Sequence, residues 1–332
     1  MAYDILCSYY TNKTMPKLEP THQIKVTKKT IGNILQGYGL VLQKFTRAKG
    51  GIQNTTCLVE TNKGTFVLRV YIRAKKTKDV IQELEFMNFL AKHRVPVPEV
   101  FADKSEQLVH QHKLNSTTWN CVLMQHMKGE HPKQYTNGIV KELAKTQARM
   151  HALGIKFAKT QTYKPASKLL LTERFFIPKI DFSKITSPEA QGLLGRIKKY
   201  RVRLPANLPK AFCHLDFDHG NILIKNSRLS AILDFDDLKH APIVKDLSYT
   251  MWDMCFTTEK TESMFLYLNT YLAYRDLSQK ELSLLKSVIL FRHYCIAAFE
   301  ILFWGQRGIY VKKFLRLEKI ILQLTEKTFM DR

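Results

Sequence analysis

Two short apolar runs studded with acids and amides constrain this chain more than any other part of it. The first is Phe212-Cys-His-Leu-Asp-Phe-Asp-His-Gly-Asn-Ile-Leu-Ile224, and Ser230-Ala-Ile-Leu-Asp-Phe-Asp-Asp237 follows five residues later. Ile222 to Asn226 and Leu229 to Leu233 read as a hairpin around Ser227-Arg228. Pairing 226 with 229 sets Asn221 opposite Asp234, and directly opposed antiparallel residues lie roughly 4.5 to 5.5 Å apart between Cα atoms. An amide and a carboxylate at that separation can share one hard cation, which takes oxygen ligands. Taken singly, Asp216, Asp218, Asn221 and Asp234 are ordinary loop and turn residues. Asp216, Asn221 and Asp234 at these spacings, with a hairpin between them, are a candidate site.

Around this cluster the chain divides at about residue 127. Residues 1–22 are polar, with Pro16 and Pro20, and read as an extension. Residues 23–127 predict strands with one helix: Thr55 to Thr61 and Gly64 to Ile72 joined by a turn at Asn62-Lys63-Gly64, then a helix over Asp79 to Arg94 stopped by Val95-Pro-Val-Pro98. The apolar run Asn120 to Met127 closes this lobe. Residues 128–332 predict a larger, mainly helical lobe, with a helix over Gly138 to Gly154 capped by that glycine, an irregular basic stretch over 155–205, and helices over 281–332. The expected class is α+β, a β-rich first lobe and a helical second.

Composition excludes little but points somewhere. The net charge of +23 favours phosphate-bearing or anionic partners and counts against a polycationic substrate. Six widely spaced cysteines with no Cys-x-x-Cys pair indicate neither a disulfide framework nor a zinc knuckle, which fits a reducing cytoplasm. No stretch approaches eighteen uncharged apolar residues, so no membrane span is expected.

The spacing His214-x-Asp216-x-x-x-x-Asn221 is that of a kinase catalytic loop, in which the Asp accepts the proton of the attacking hydroxyl and the Asn ligates magnesium, with Asp234 as second metal ligand. His214 reads as a structural histidine that hydrogen-bonds the loop. A kinase also needs a cation on the nucleotide phosphates and an acid to hold it. Arg69 is the candidate cation, on the opposite face of its strand from Phe66, Leu68 and Val70. Glu83 is the candidate acid, because it shares a helical stripe with Val80, Met87 and Leu90, and a buried carboxylate needs a partner. Gly50 and Gly51, with Asn54, form a turn whose N–H groups could lie over phosphates. There is a rival: His214, Asp216, Asp218 and His219 resemble the metal cluster of metallo-β-lactamase-type hydrolases, with His240, Asp246 and His293 as further ligands. Such a hydrolase has no use for the upstream lobe.

In family order from Gly50 to about Asp253, the chain resembles the aminoglycoside phosphotransferase and choline kinase superfamily, whose members share the two-lobed protein-kinase-like fold. GGIQNTTCLVETNKGTFVLRVY is similar to homoserine kinase type II, QELEFMNFLAKHRVPVPEVF to the superfamily's helix and proline-bearing turn, and ARMHALG to the helix ahead of the acceptor-shaping insert. HLDFDHGNILI with AILDFDD resembles its catalytic and metal-binding loops, and CVLMQHMKGE the segment that meets adenine. The resemblance implies ATP and Mg2+ as cofactors, Asp216 as base, Asn221 and Asp234 as metal ligands, and Arg69 and Glu83 as the phosphate-binding pair. It further implies adenine contacts from the backbone of Gln125 and Met127, and Asp246 bracing the catalytic loop. Two residues depart from the pattern: Leu215 replaces the usual small residue, and Arg69 stands where many relatives carry Lys.

The expected function is ATP-dependent phosphorylation of a small-molecule hydroxyl, with a Ser/Thr protein kinase of the same fold or a pseudokinase as alternatives. Residues 155–205 carry twelve Lys or Arg against three acids, which suits an anionic or zwitterionic acceptor. The interleaved Phe303, Trp304, Tyr310, Lys312, Lys313, Phe314 and Arg316 also suit nucleic acid. A helix burying one face gives the same pattern, so nucleic acid is not expected.

Overall fold

The computed structural model describes residues 26–48, 54–72, 75–114, 116–171, 185–304, 308–325 and 327–330. Their contacts form two compact units. Of the described residues, one unit holds those in 26–131 and 220–236, and the other those in 132–219 and 237–330.

The first unit is a six-stranded antiparallel sheet with two helices and a separate hairpin. Strands β1 (Leu42–Arg47), β2 (Thr55–Thr61), β3 (Gly64–Val70), β4 (Val100–Phe101), β5 (His110–Leu114) and β6 (Thr117–Gln125) run in the order β1-β2-β3-β6-β4, with β5 on β6. In the β2–β3 turn Thr61 pairs with Gly64, whose φ of 127° suits glycine. Two helices stand where one was expected. The addition is α1 (Lys28–Gln36), capped by Thr27 Oγ1 on the N–H of Thr30, with Ile31, Ile34 and Leu35 packed against Val59, Leu68 and Leu123. Nine residues carry too little periodicity to announce a helix. Helix α2 (Thr77–Lys92) buries Val80, Glu83, Met87 and Leu90 and ends where Arg94 turns left-handed at φ 58°.

The hairpin β10 (Ile222–Lys225) and β11 (Arg228–Ile232) corrects the expected register. Its turn is Asn226-Ser227, at φ 52° and 58°, the two-residue geometry that matches strand twist. A bulge between Leu223 and Ile224 shifts the pairing again, to Ile222 with Ile232. Asn221 therefore faces Leu233, whose N–H donates to its carbonyl at 2.7 Å, and Asp234 lies one residue beyond. Ile232 N–H donates to Pro96 O at 2.7 Å, which anchors the hairpin to the segment after α2.

The second unit is mainly helical: α3 (Asn137–Thr160), α4 (Pro188–Lys199), α5 (Ile243–Thr258), α6 (Thr261–Leu272), α7 (Gln279–Trp304), α8 (Gly308–Gln323) and a short α9 (Lys327–Met330). Strand β9 (Lys210–Cys213) pairs with β12 (Lys239–Pro242), and β7 (Leu170–Leu171) with β8 (Val202–Arg203). Gly154 does not cap α3, which runs on to Thr160. A Cβ there would land on the backbone of Phe212 in β9, so the glycine permits a close helix–strand approach. The stretch 155–205 is not wholly irregular: α3 continues into it, and α4 buries Ala190, Leu193, Leu194 and Ile197. Residues 172–184 lie outside the described residues.

Helix α7 is long and apolar enough to cross a membrane by length and composition, yet 78% of that window is buried, as in a core helix. Helix α8 buries Val311, Phe314, Leu317 and Ile321 and exposes Lys312, Arg316 and Lys319. That one-sided pattern is the amphipathic one, and the side chains of Phe303, Trp304 and Tyr310 lie outside the described residues. Cys57, Cys121, Cys213, Cys255 and Cys295 are free and buried.

Candidate functional site

Each unit carries a buried polar cluster built from the residues singled out above. In the first unit, β3, α2 and the segment after β11 converge. Arg69, 7% exposed, places Nη2 2.8 Å from Asp234 Oδ2 and Nη1 3.6 Å from Asp236 Oδ1. Glu83 does not pair with Arg69, contrary to expectation. Its carboxylate takes Lys75 Nζ at 2.6 Å and the Tyr71 hydroxyl at 2.8 Å. Lys75 also reaches Asp236 Oδ1 at 2.9 Å, so Asp236 joins the two cations. Burial opposes the charge on Lys75, but Glu83 and Asp236 outweigh it and hold its pKa above the ordinary range. Arg69 is likewise held charged, with Asp234 and Asp236 outweighing burial. The pairing follows from reach: the chain between β3 and α2 brings Lys75 over the Tyr71 ring at 4.9 Å, beside Glu83, while Arg69 faces the hairpin.

Asn54, 5% exposed, ties this cluster to the strand ends. Its Oδ1 accepts from Ile72 N–H at 3.0 Å and its Nδ2 donates to Asp236. Gly50 and Gly51 lie outside the described residues. Gln125 ends β6 with its N–H donated to Glu99 O at 2.8 Å, and Met127 follows, half-buried. Asp234 stands at φ 62°, where its Oδ1 accepts from Asp236 N–H at 3.2 Å. Asn221 is buried at the start of the other strand of the same hairpin, opposite Leu233. Amide and carboxylate oxygens at the open end of one hairpin are the donors a hard divalent ion takes.

In the second unit the loop from His214 to His219 is fixed from several sides. Leu215 adopts φ 63°, a strained conformation for a branched residue, and its N–H is held by Asp246 Oδ1. Asp246, 1% exposed, is braced in turn by His151 Nε2 at 2.8 Å and Gln147 Nε2 at 3.1 Å. His214 is buried, and its Nδ1 accepts from Asp216 N–H at 3.2 Å, which suits a loop-holding histidine. Asp216 meets Arg292 of α7, with Nη2 2.8 Å from Oδ1. Burial, with Asp216 and Asp253 close by, pushes Asp218 up to about 7.

The rival metal cluster does not assemble. His219 is taken by Asp253 at 2.6 Å, His293 Nδ1 by the Trp252 indole at 3.3 Å, and Asp246 by His151. Among the described residues the group close enough to hold a metal is His151, Cys213 and Asp246, a different set. Sequence reasoning missed Lys75, Asp236, His151 and Arg292. Lys75 sits in the basic run Arg73-Ala-Lys-Lys76, which reads as a solvated surface. Arg292 did carry a signal, since a lone cation in the apolar run Val288 to Ile301 requires a buried acid.

The family model described as "Phosphotransferase enzyme family" matches residues 44–276. A homoserine kinase of Polaromonas naphthalenivorans is 24% identical over 256 residues, 74% of this chain and 78% of that protein. Among solved structures, an amicoumacin kinase in complex with AMP-PNP, Ca2+ and its ligand superposes with a TM-score of 0.66 at 14% identity, covering 90% of this chain and 93% of that one. A microcompartment-associated aminopropanol kinase gives 0.62 at 17%, covering 91% and 97%. The fold is theirs.

Proposed function

The chain belongs to the phosphotransferase enzyme family, and from that premise we propose that it moves the γ-phosphoryl group of ATP to a hydroxyl of a small anionic or zwitterionic molecule. The observation that carries the reading is Asp216. It is a buried carboxylate on a loop pinned by Asp246 and His214, with Arg292 beside it to favour the ionised form. An ionised, fixed carboxylate can accept a hydroxyl proton as the oxygen attacks. In that step the acceptor oxygen bonds to the γ-phosphorus, and the bond from phosphorus to the β–γ bridging oxygen breaks. Its electron pair leaves with ADP, and the proton goes to Asp216.

The first unit's cluster supplies the nucleotide side. Arg69 and Lys75 are fixed cations suited to phosphate oxygens, and Glu83 and Asp236 keep them charged and oriented. Backbone atoms of Gln125 and Met127, at the end of β6, are the adenine contacts. Asn221 and Asp234 have the donor chemistry for Mg2+, which when bound neutralises charge that develops on the transferred group. The basic stretch 155–205 favours an acceptor with a negative group. A cytoplasmic location supplies ATP and keeps the free cysteines reduced.

The test is ATP turnover with Mg2+ against pools of hydroxy amino acids, amino alcohols, aminoglycosides and macrolides. ADP release dependent on one hydroxylated pool supports the reading, and no release from any pool with ATP bound contradicts it.

A further inference from the structure

Beside Asp216 the second unit buries polar hydrogen-bond donors that nothing in the described chain satisfies. Arg292 is 9% exposed, and one guanidinium nitrogen is spent on Asp216. Its Nε is enclosed and has no partner among the described residues. The guanidinium lies 4.7 Å from the centroid of the Tyr249 ring and 5.9 Å from that of Trp252. Tyr249 is 5% exposed, and its hydroxyl too is buried with no partner among the described residues. A second buried cation, Lys245, sits 5.7 Å from the same ring, with Nζ on Ser167 Oγ at 2.7 Å. Burial lowers its pKa to about 8, and the nearby Asp237 opposes that shift. Acids of Asp216 and Asp237 offset the two cations in net charge, so the feature is not a bare positive patch. The orphaned groups are Arg292 Nε and the Tyr249 hydroxyl, with Lys245 a buried cation beside them that is bonded to Ser167, and buried polar groups in folded chains are nearly always paired.

We propose that Arg292, Tyr249 and Lys245 read a carboxylate carried by the acceptor molecule, so that the substrate is a hydroxy acid, its hydroxyl at Asp216 and its carboxylate on these donors. The inference rests on the phosphotransfer reading and narrows it. Both oxygens of a carboxylate accept hydrogen bonds, and a planar guanidinium held against aromatic rings presents a fixed fork to them. Because Arg292 also touches the base, a bound carboxylate fixes the position of the hydroxyl attached to the same small molecule. An amino alcohol lacking the carboxylate leaves Arg292 Nε and the Tyr249 hydroxyl buried and unpaired, which is how a polar site rejects an analogue.

The experiment compares matched acceptors: homoserine with 3-aminopropan-1-ol, serine with ethanolamine, and threonine with 1-aminopropan-2-ol. Each is turned over by the wild type, by Tyr249→Phe and by Arg292→Lys. The expected result is a preference of about a hundredfold or more in kcat/KM for one hydroxy acid over its decarboxylated partner. Tyr249→Phe, which removes one oxygen, raises KM for the acid about tenfold and leaves the amino alcohol unchanged. Equal turnover of acid and alcohol by the wild type overturns the proposal, as does an equal loss for both in Tyr249→Phe. Thermal shift by the acceptors alone separates this claim from the phosphotransfer reading. Stabilisation of the wild type by a hydroxy acid, absent in Tyr249→Phe, supports the carboxylate site even where no phosphate moves. No stabilisation by any hydroxy acid, together with no turnover, overturns it.

Discussion

The two buried clusters are built from similar residues, but in opposite ways. In the first unit Arg69 and Lys75 share three carboxylates, on Glu83, Asp234 and Asp236, and the ion pairs form one chain. In the second unit Asp216 pairs with Arg292, next to a carboxyl at Asp218 that burial raises and a Tyr249 hydroxyl without a partner among the described residues. Both clusters keep an arginine Nε without a partner among the described residues, Arg69 in the first and Arg292 in the second, so what separates them is the chain of linked ion pairs in the first and the unpaired Tyr249 hydroxyl in the second. Groups tied to several opposite charges hold their shape without a ligand, whereas an unpaired hydroxyl gains most when a ligand arrives. That difference is the one the proposed roles require, a nucleotide cradle in one unit and an acceptor-reading loop in the other.

The sharpest way to break the comparison is to remove one member of each cluster. Asp216→Asn keeps the shape of the loop and removes the proton acceptor. It should lower turnover by about 10²–10⁴-fold and, because it leaves Arg292 buried without that counter-charge, lower the melting temperature as well, checked by kinetics and calorimetry. Arg69→Met should act on the fold as well as on nucleotide binding. It leaves Asp234 and Asp236 buried with less compensation and should cost about 3–5 kcal/mol in denaturant unfolding.

A pH series sharpens the same contrast. Glu300 of α7 is 2% exposed, both its carboxyl oxygens lack partners among the described residues, and burial pushes its pKa up to about 8. The folded chain therefore holds a proton there that the unfolded chain releases near its ordinary value of 4.5, so stability falls as pH rises from about 4.5 to 8. Glu300→Met should remove that slope and unfold at a higher temperature than the wild type at pH 8, with a smaller gain at pH 5. Gly154→Ala should cost about 1–3 kcal/mol, because the added methyl group meets the Phe212 backbone, which cannot swing away as a side chain can. Smallest is Glu60→Gln. It breaks an exposed pair with Lys44 at 3.8 Å and should change stability by no more than about 0.5 kcal/mol.

How much of this was legible in the sequence depended on whether a signal was local. The turn at Asn62-Lys63-Gly64 and the buried side of α2 are local signals, and each led to the right element. That Glu83 is buried and needs a cation was legible from its stripe. Which cation was not, because Lys75 lies in a run that looks solvated and the choice turns on where the chain leaves β3. The hairpin register failed for a related reason: left-handed Asn226 and Ser227 and the bulge at Leu223 are backbone choices that apolar patterning leaves open. Gly154 looked like a cap because glycine is common there, whereas the close approach that explains it comes from β9, far along the chain. Arg292, 76 residues from Asp216, could be suspected only as a cation in an apolar helix.

The division of labour between the clusters is tested most directly by measuring nucleotide affinity and phosphoryl transfer side by side in Asp216→Asn and Arg69→Met. The account predicts that Asp216→Asn binds ATP with Mg2+ as the wild type does and transfers phosphate about 10²–10⁴-fold more slowly, while Arg69→Met loses nucleotide affinity. Asp216→Asn turning over at the wild-type rate, or Arg69→Met binding ATP unchanged, would contradict it.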